Sequence, residues 1–295
     1  MLYNDKLTYA EMYRWGCEEL SAAGIDEAGT DARLLLEWCC GTDRNTLLAH
    51  GDRSISNEEC RRYTDCIAGR RRHVPLQYIT GEQNFMGLTF AVNKNVLIPR
   101  QDTEVLVEEV MRHLHDGMRI LDMCTGSGCI LLSLLRYSND CTGVGVDVSG
   151  EALRVARENT ARILGAQAVE QSRAVMLQGD LFEAFTESDT ENKFDIIVSN
   201  PPYIKTEVID SLMPEVREYE PHLALDGRDD GLFYYREIIT RAGDFLSGGG
   251  MLFFEIGYDQ GEEVRRLMEE AGYSDIEVIK DFAGLDRVVY GGSYV

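Results

Sequence analysis

The chain has 295 residues, 44% of them hydrophobic and 27% charged, a composition that suits an ordinary globular protein of one large or two smaller domains. Its 29 Lys+Arg against 51 Asp+Glu leave a net charge of −22, which repels a phosphate backbone or an anionic membrane and argues against non-specific nucleic-acid binding. No apolar run approaches bilayer length, and the eight cysteines show neither Cys-x-x-Cys nor zinc spacing. The N-terminus is polar, without an apolar signal core. The expectation is therefore a cytoplasmic protein with free thiols.

Thr8-x-x-Glu11 and Ser56-x-x-Glu59 are capping-box patterns that predict two helix starts. Between them, Asp31–Trp38 reads as a buried helix and Asn45–Ala49 as a shorter one. Residues 1–78 are thus expected to form a small all-helical domain. The arginines at 61, 62, 70, 71 and 72 read as cations in the last turns of a helix, with a docking patch for a partner as the competing reading.

His73–Gly81, with Pro75, reads as a linker. Leu88, Phe90 and Val92 alternate, and Asn93-Lys94-Asn95 supplies turn residues before Val96-Leu97-Ile98, so a hairpin is expected there. The linker and hairpin together span 79–98. Asp102 then reads as the N-cap of a helix over Val105–His113.

From Arg119 onward strands and helices alternate. Strands are expected at Ile120–Leu121, Val144–Val146, Ala174–Leu177, Phe194–Val198 and Met251–Glu255. Ile276–Ile279 and Arg287–Tyr290 close the pattern as a hairpin. Helices fill the gaps at Gly128–Tyr137, Glu151–Leu164, Tyr234–Phe245 and Gln260–Ala271. Such alternation means a mostly parallel sheet covered on both faces. The expected fold is α/β, a seven-stranded Rossmann-like sheet over 99–295.

Chemistry concentrates at the strand ends. Asp122-Met123-Cys124-Thr125-Gly126-Ser127-Gly128 joins a strand to a helix, and its glycines let the backbone approach a ligand. The run continues Cys129-Ile130-Leu131, without the third glycine of the dinucleotide fingerprint. That argues for S-adenosylmethionine, which has no pyrophosphate to seat on the helix. Asp147 ends the next strand and suits a ribose diol. Gly179-Asp180-Leu181 ends the third, where a carboxylate can accept from the adenine amine.

The fourth strand delivers Asn200-Pro201-Pro202-Tyr203. Neither proline donates an N–H, and Pro202 forces Pro201 out of the helical region, so the corner is stiff and extended. It can hold a planar NH₂ between the Asn200 side chain and the Pro201 carbonyl, with Tyr203, and Phe90 from the hairpin, flanking its face. Glu255, at the end of a later strand, reads as a solvated carboxylate.

These residues resemble class I S-adenosylmethionine-dependent methyltransferases. Within them the chain resembles the HemK/PrmC family, which methylates the glutamine N5 of class I peptide chain release factors. The resemblance covers nearly the whole chain. It rests on Ile98-Pro99-Arg100-Gln101-Asp102-Thr103-Glu104, on Asp122 to Gly128, on Asn200-Pro201-Pro202-Tyr203 and on Glu220-Pro221-His222-Leu223-Ala224-Leu225. It implies a cofactor site of Cys124, Thr125, Gly126, Ser127, Gly128, Asp147, Asp180, Leu181 and Asn200, with no metal. It further implies a substrate corner of Asn200, Pro201, Pro202, Tyr203 and Phe90, whose first four residues carry catalysis. The implied partner is a release factor, with no direct nucleic acid and no membrane. Asn-Pro-Pro-Tyr is shared with adenine N6-methyltransferases, so a nucleic-acid adenine is the alternative substrate; a non-catalytic binding module is the other. Cys124 stands where the general methyltransferase pattern often has its first glycine. Either the backbone there is ordinary, or the methionine end is bound differently.

Overall fold

The computed structural model describes residues 7–186 and 193–293; the polar first six residues, 187–192 and the last two lie outside it. The chain divides into two compact units, one of 1–81 with 213–219, the other of 82–212 with 220–295.

In the helical unit both capping boxes form. Thr8 caps α1 (Tyr9–Ala22) and Ser56 caps α4 (Asn57–Arg70), each exchanging hydrogen bonds with the Glu three residues on. α2 (Ala28–Cys40) and α3 (Arg44–Ala49) lie between them in sequence. The core is built on Leu20, Leu35, Leu36, Tyr63 and Ile67, all fully buried. The expected linker instead carries a helical turn, α5 (Leu76–Thr80), because Pro75 at its N-cap is set for helix entry.

The arginine cluster is largely consumed by this unit. Arg70 is 8% exposed, with Nε on Asp31 at 2.7 Å and Nη1 on Glu215 at 3.0 Å, while His73 Nδ1 reaches the same Glu215 oxygen at 3.0 Å. These pairs are why Met213–Tyr219, assigned by sequence to the catalytic domain, belongs to the helical unit. Arg71 pairs with Glu19 at 2.7 Å and Arg62 donates to the Cys39 carbonyl.

The second unit opens with a hairpin, β1 (Glu82–Phe85) and β2 (Leu88–Ala91). Its turn is Met86-Gly87, both at positive φ as the tightest hairpin turns require, and not the expected Asn93–Asn95. Glu82-Gln83-Asn84 is polar, so apolar alternation could not reveal the first strand. Val96 and Ile98 are buried without pairing as strands. Helix α6 spans Asp102–His113 with Gln101 at the cap, so Asp102 is inside the first turn and makes no cap bond; it pairs with Arg287 at 3.2 Å.

Then follow β3 (Arg119–Met123), α7 (Cys129–Tyr137), β4 (Thr142–Asp147), α8 (Gly150–Leu164), α9 (Ala166–Glu170), β5 (Ala174–Gln178) and β6 (Phe194–Ser199). After α10 (Thr206–Ile209), and past α11 (Pro214–Arg217) of the helical unit, come α12 (Phe233–Ala242), β7 (Leu246–Glu255), α13 (Gly261–Glu270), β8 (Ser274–Lys280) and β9 (Asp286–Gly292). The seven-stranded sheet has the order β5-β4-β3-β6-β7-β9-β8, parallel up to β7 and closed by antiparallel β9 and β8. Consecutive residues feed opposite faces. Ile120, Ile196 and Phe253 enter one core, and Leu121, Ile197 and Phe254 the other.

Candidate active site

Strand order reverses between β3 and β6, and such a switch point opens a crevice at the carboxyl ends of the strands. Register decides which residues meet there. Met123 pairs with Val146 and with Ser199, and Asp147 with Gln178. Cys124, Asp147, Asp180 and Asn200 therefore leave neighbouring strands at one level. The cleft they border is lined by Cys124, Thr125, Gly126 and Ser127 on one side and by Asp147, Asp180 and Leu181 on the next. Asn200 and Pro202 complete it.

The loop after β3 is held from beneath. Asp122, with no exposed surface, accepts the Thr125 hydroxyl at 2.6 Å and the Leu131 N–H at 3.3 Å through one oxygen, while Oδ1 has no partner. Burial pushes its carboxyl up to about 7. Asp147 grips the loop from the side, Oδ2 accepting the Gly126 N–H at 2.9 Å and Oδ1 the Ser149 N–H at 2.9 Å. Burial raises it too, against those two hydrogen bonds. Gly126 has φ 55, and a Cβ there would meet nothing within 4 Å, so the bare backbone faces open space. Gly128, at φ 80, caps α7 behind the loop, where a Cβ would come within 3.0 Å of Leu132.

Cys124 has φ 62, the left-handed region, so its backbone takes the glycine conformation despite a side chain. Burial pushes its thiol far up, so it is not a nucleophile. All eight cysteines are free; the Cys124–Cys129 pair is not bridged.

This cleft suits a nucleoside cofactor. Open backbone at Gly126, a carboxylate at the end of β4 and another after β5 supply acceptors for a ribose diol and an exocyclic amine.

The Asn200 corner is anchored by Thr103, Glu255 and Gln260, the last of which the sequence did not mark as part of the site. Asn200 Nδ2 donates to the Thr103 hydroxyl at 3.4 Å. The Gln260 amide donates to the Tyr203 carbonyl at 3.2 Å, and Tyr203 Oη to Glu255 Oε1 at 3.4 Å. Glu255 is 1% exposed, which corrects its reading as a solvated strand end. Pro201 and Tyr203 stand at the corner but are not among the residues lining the cleft. Phe90 lies elsewhere: it is fully buried in the first core, edge-on to Phe85. Its alternation with Leu88 and Val92 signalled burial, and burial in the core is what that pattern most directly means.

The stretch from Arg100 to Glu104 organises the rim. Arg100 holds both oxygens of Glu220 at 2.6 and 2.7 Å, Asp102 pairs with Arg287, Thr103 accepts from Asn200, and Glu104 accepts the Met86 N–H at 2.6 Å. Both stretches, Arg100–Glu104 and Glu220–Leu225, are recognisable in the sequence, but only the fold reveals that they bind each other.

Residues 11–81 match the family described as PrmC N-terminal domain, and 114–272 the family described as Methyltransferase domain. The chain is 42% identical over 287 residues to the release factor glutamine methyltransferase of Caulobacter vibrioides, across 97% of this chain and 96% of that protein. It is 39% identical over 284 residues to that of Geobacter sulfurreducens, across 96% of each. A methyltransferase structure from Pyrococcus furiosus superposes with a TM-score of 0.51 at 18% identity, over 71% of this chain and 90% of that one, a likeness of fold alone.

Proposed function

This chain belongs to the release factor glutamine methyltransferase family, and on that premise we propose that it transfers a methyl group from S-adenosylmethionine to the side-chain amide nitrogen of a glutamine in a class I release factor. The observation that carries the reading is the register that sets Asn200 beside Cys124 and Asp147 at one cleft.

Asp147 would hold the ribose and the Asp180–Leu181 end the adenine, with the backbone of Thr125–Ser127 along the methionine side. Bound there, S-adenosylmethionine supplies an already electrophilic methyl. The protein's part is then placement, and near-attack alignment can supply roughly 7–11 kcal/mol. An amide nitrogen is a poor nucleophile because its lone pair is delocalised. The Asn200 side-chain oxygen and the Pro201 carbonyl accept its two hydrogens, fix the nitrogen and enrich its electron density. Tyr203 braces the corner. The proton leaves after transfer, when the nitrogen is acidic, so no strong base is required.

The substrate glutamine is the one in the exposed Gly-Gly-Gln tip, whose bare glycines let backbone enter a narrow cleft. The helical unit carries none of this chemistry, and docking of the protein substrate is its proposed role. Free thiols fit a reducing cytoplasm, and no described helix is long and apolar enough to cross a membrane. Adenine presents a similar NH₂, but the charge of −22 opposes a nucleic-acid substrate. The test is a methyl-transfer assay with labelled cofactor on release factor, on a variant with the tip glutamine changed to alanine, and on adenine-containing DNA. Label on the first alone is expected. Label on DNA but not on release factor would transfer the reading to the adenine enzymes.

A further inference from the structure

The edge of the sheet that bears the cleft also carries apolar side chains that the transfer step does not use. Phe282 is 97% exposed, the most exposed of the large apolar side chains among the described residues. It stands in the turn between β8 and β9, with Leu285 exposed beside it in sequence. β9 runs antiparallel to β7, and Val288 pairs with Glu255 at the end of β7. Phe254, one residue earlier, pairs with Ser199. The β8–β9 turn therefore leaves the sheet at the same edge as Asn200. Tyr258, 63% exposed, follows the end of β7 on that edge too. Its loop starts against the hairpin, the Ile256 N–H donating to the Arg287 carbonyl at 2.9 Å. Tyr137 and Val169, also exposed, lie near the ends of helices that lead back to the opposite edge.

A lone exposed phenylalanine is ordinary; this one is held out on a stiff arm. The Asp281 carboxylate accepts the Ala283 and Leu285 N–H groups at 2.9 and 3.0 Å, and the Asp281 N–H donates to the Leu285 carbonyl at 2.8 Å. Arg287 ties the arm down, its Nη2 reaching Asp281 at 3.1 Å and Asp102 at 3.2 Å. Next to Asp102 is Thr103, whose hydroxyl accepts from Asn200. A preorganised aromatic side chain loses little freedom on binding, and such residues make the strongest anchors at protein interfaces. Spacing brings the arm within reach of the cleft. β9 lies two strands from β6, roughly 10 Å at about 4.8 Å per strand. A standard interface covers about 800 Å² on each partner, a disc of roughly 16 Å radius. Centred on Asn200, such a disc takes in the base of the hairpin.

We propose that Phe282 is a docking anchor for the protein substrate: flanked by Leu285 and Tyr258 on this edge, it seats in an apolar hollow of the release-factor domain that bears the tip glutamine. This rests on the release-factor reading above and extends it to a contact outside the cleft. The glutamine reaches Asn200 from this edge, so the domain behind the tip spreads over it. Phe282 touches neither the reacting nitrogen nor the cofactor. Its contact is the same before and during transfer, so losing it raises KM and leaves kcat alone.

The test compares the parent with Phe282→Ala, Phe282→Asp, Phe282→Leu and, as a control on the opposite edge, Val169→Ala. It measures kcat and KM for intact release factor, cofactor affinity by calorimetry, and the sedimentation and melting of each variant. Phe282→Ala should raise KM by roughly tenfold and Phe282→Asp by more, with kcat and cofactor affinity within about twofold of the parent. Phe282→Leu, which keeps an apolar side chain, should stay within about threefold, and Val169→Ala should match the parent. Melting temperatures should not fall, since the side chain is solvated. An unchanged KM in both Phe282→Ala and Phe282→Asp, a loss confined to kcat, or an equal rise in Val169→Ala would overturn the proposal. A parent dimer that Phe282→Asp dissolves, with KM unchanged, would give the anchor to a second copy of this chain and overturn it as well. A parent that does not methylate release factor removes the function proposed above, whereas an active parent with a normal Phe282→Asp removes only the present inference.

Discussion

The Asp147 carboxylate accepts the Gly126 N–H at 2.9 Å, so the residue that ends β4 also holds the loop that leaves β3. One side chain thereby shapes the loop, and in the proposed reading its remaining lone pairs receive the ribose. Asp147→Ala should weaken S-adenosylmethionine by roughly 1.5–3 kcal/mol, the range for lost hydrogen bonds to a charged group. Calorimetric titration measures it. Unchanged affinity in a folded variant would remove Asp147 from the site.

Cys124 occupies the left-handed region at φ 62, a conformation that costs a side chain roughly 1–2 kcal/mol and glycine almost nothing. Cys124→Gly should therefore keep the fold at least as stable and leave cofactor binding intact. Cys124→Val, branched at Cβ, should lose both stability and affinity. Thermal melts with and without cofactor separate the two; equal behaviour of the variants would mean that the backbone relaxes there.

Burial pushes the Glu255 carboxyl up to about 7 from an ordinary 4.5. Below the lower value both folded and unfolded chains carry the proton, and above the upper value neither does. Between them only the folded chain does, so this group's contribution to stability is lost as pH rises through that window, by up to about 3 kcal/mol. Asp122, also pushed up to about 7, acts in the same direction. Glu255→Gln should be more stable than the parent at pH 8 and nearly equal at pH 4.5. Denaturant melts across that range measure the difference, and a gap that does not depend on pH would contradict the assignment.

Arg70 is shared between Asp31 and Glu215 inside the helical unit. Arg70→Ala leaves the mostly buried Asp31 carboxylate without its ion-pair partner, and Glu215 with His73 alone, and should destabilise that unit by about 3 kcal/mol. If the unit docks the protein substrate, KM for intact release factor should rise and S-adenosylmethionine affinity should not change. Hydrogen exchange in α2 and α4 reports the first effect and steady-state kinetics the second. A normal KM with increased exchange would separate docking from this unit.

The sheet was legible in the sequence because its central strands β3, β6 and β7 carry apolar runs, and burial of such runs leaves few alternatives. The caps of α1 and α4 were legible because a capping box is local, complete within four residues. That the strand-end aspartates and Asn200 would border one cleft was legible because alternating strands and helices bring the carboxyl ends of parallel strands to one edge. The tertiary structure decided what depends on partners far along the chain. It placed the hairpin turn at Met86-Gly87, since a polar edge strand carries no apolar period. It put Phe90 in the core, buried Glu255 against Tyr203, joined Arg100 to Glu220 and gave Glu215 to the helical unit. A side chain's charge is written in the sequence; whether water or another residue answers that charge is set by which strands become neighbours.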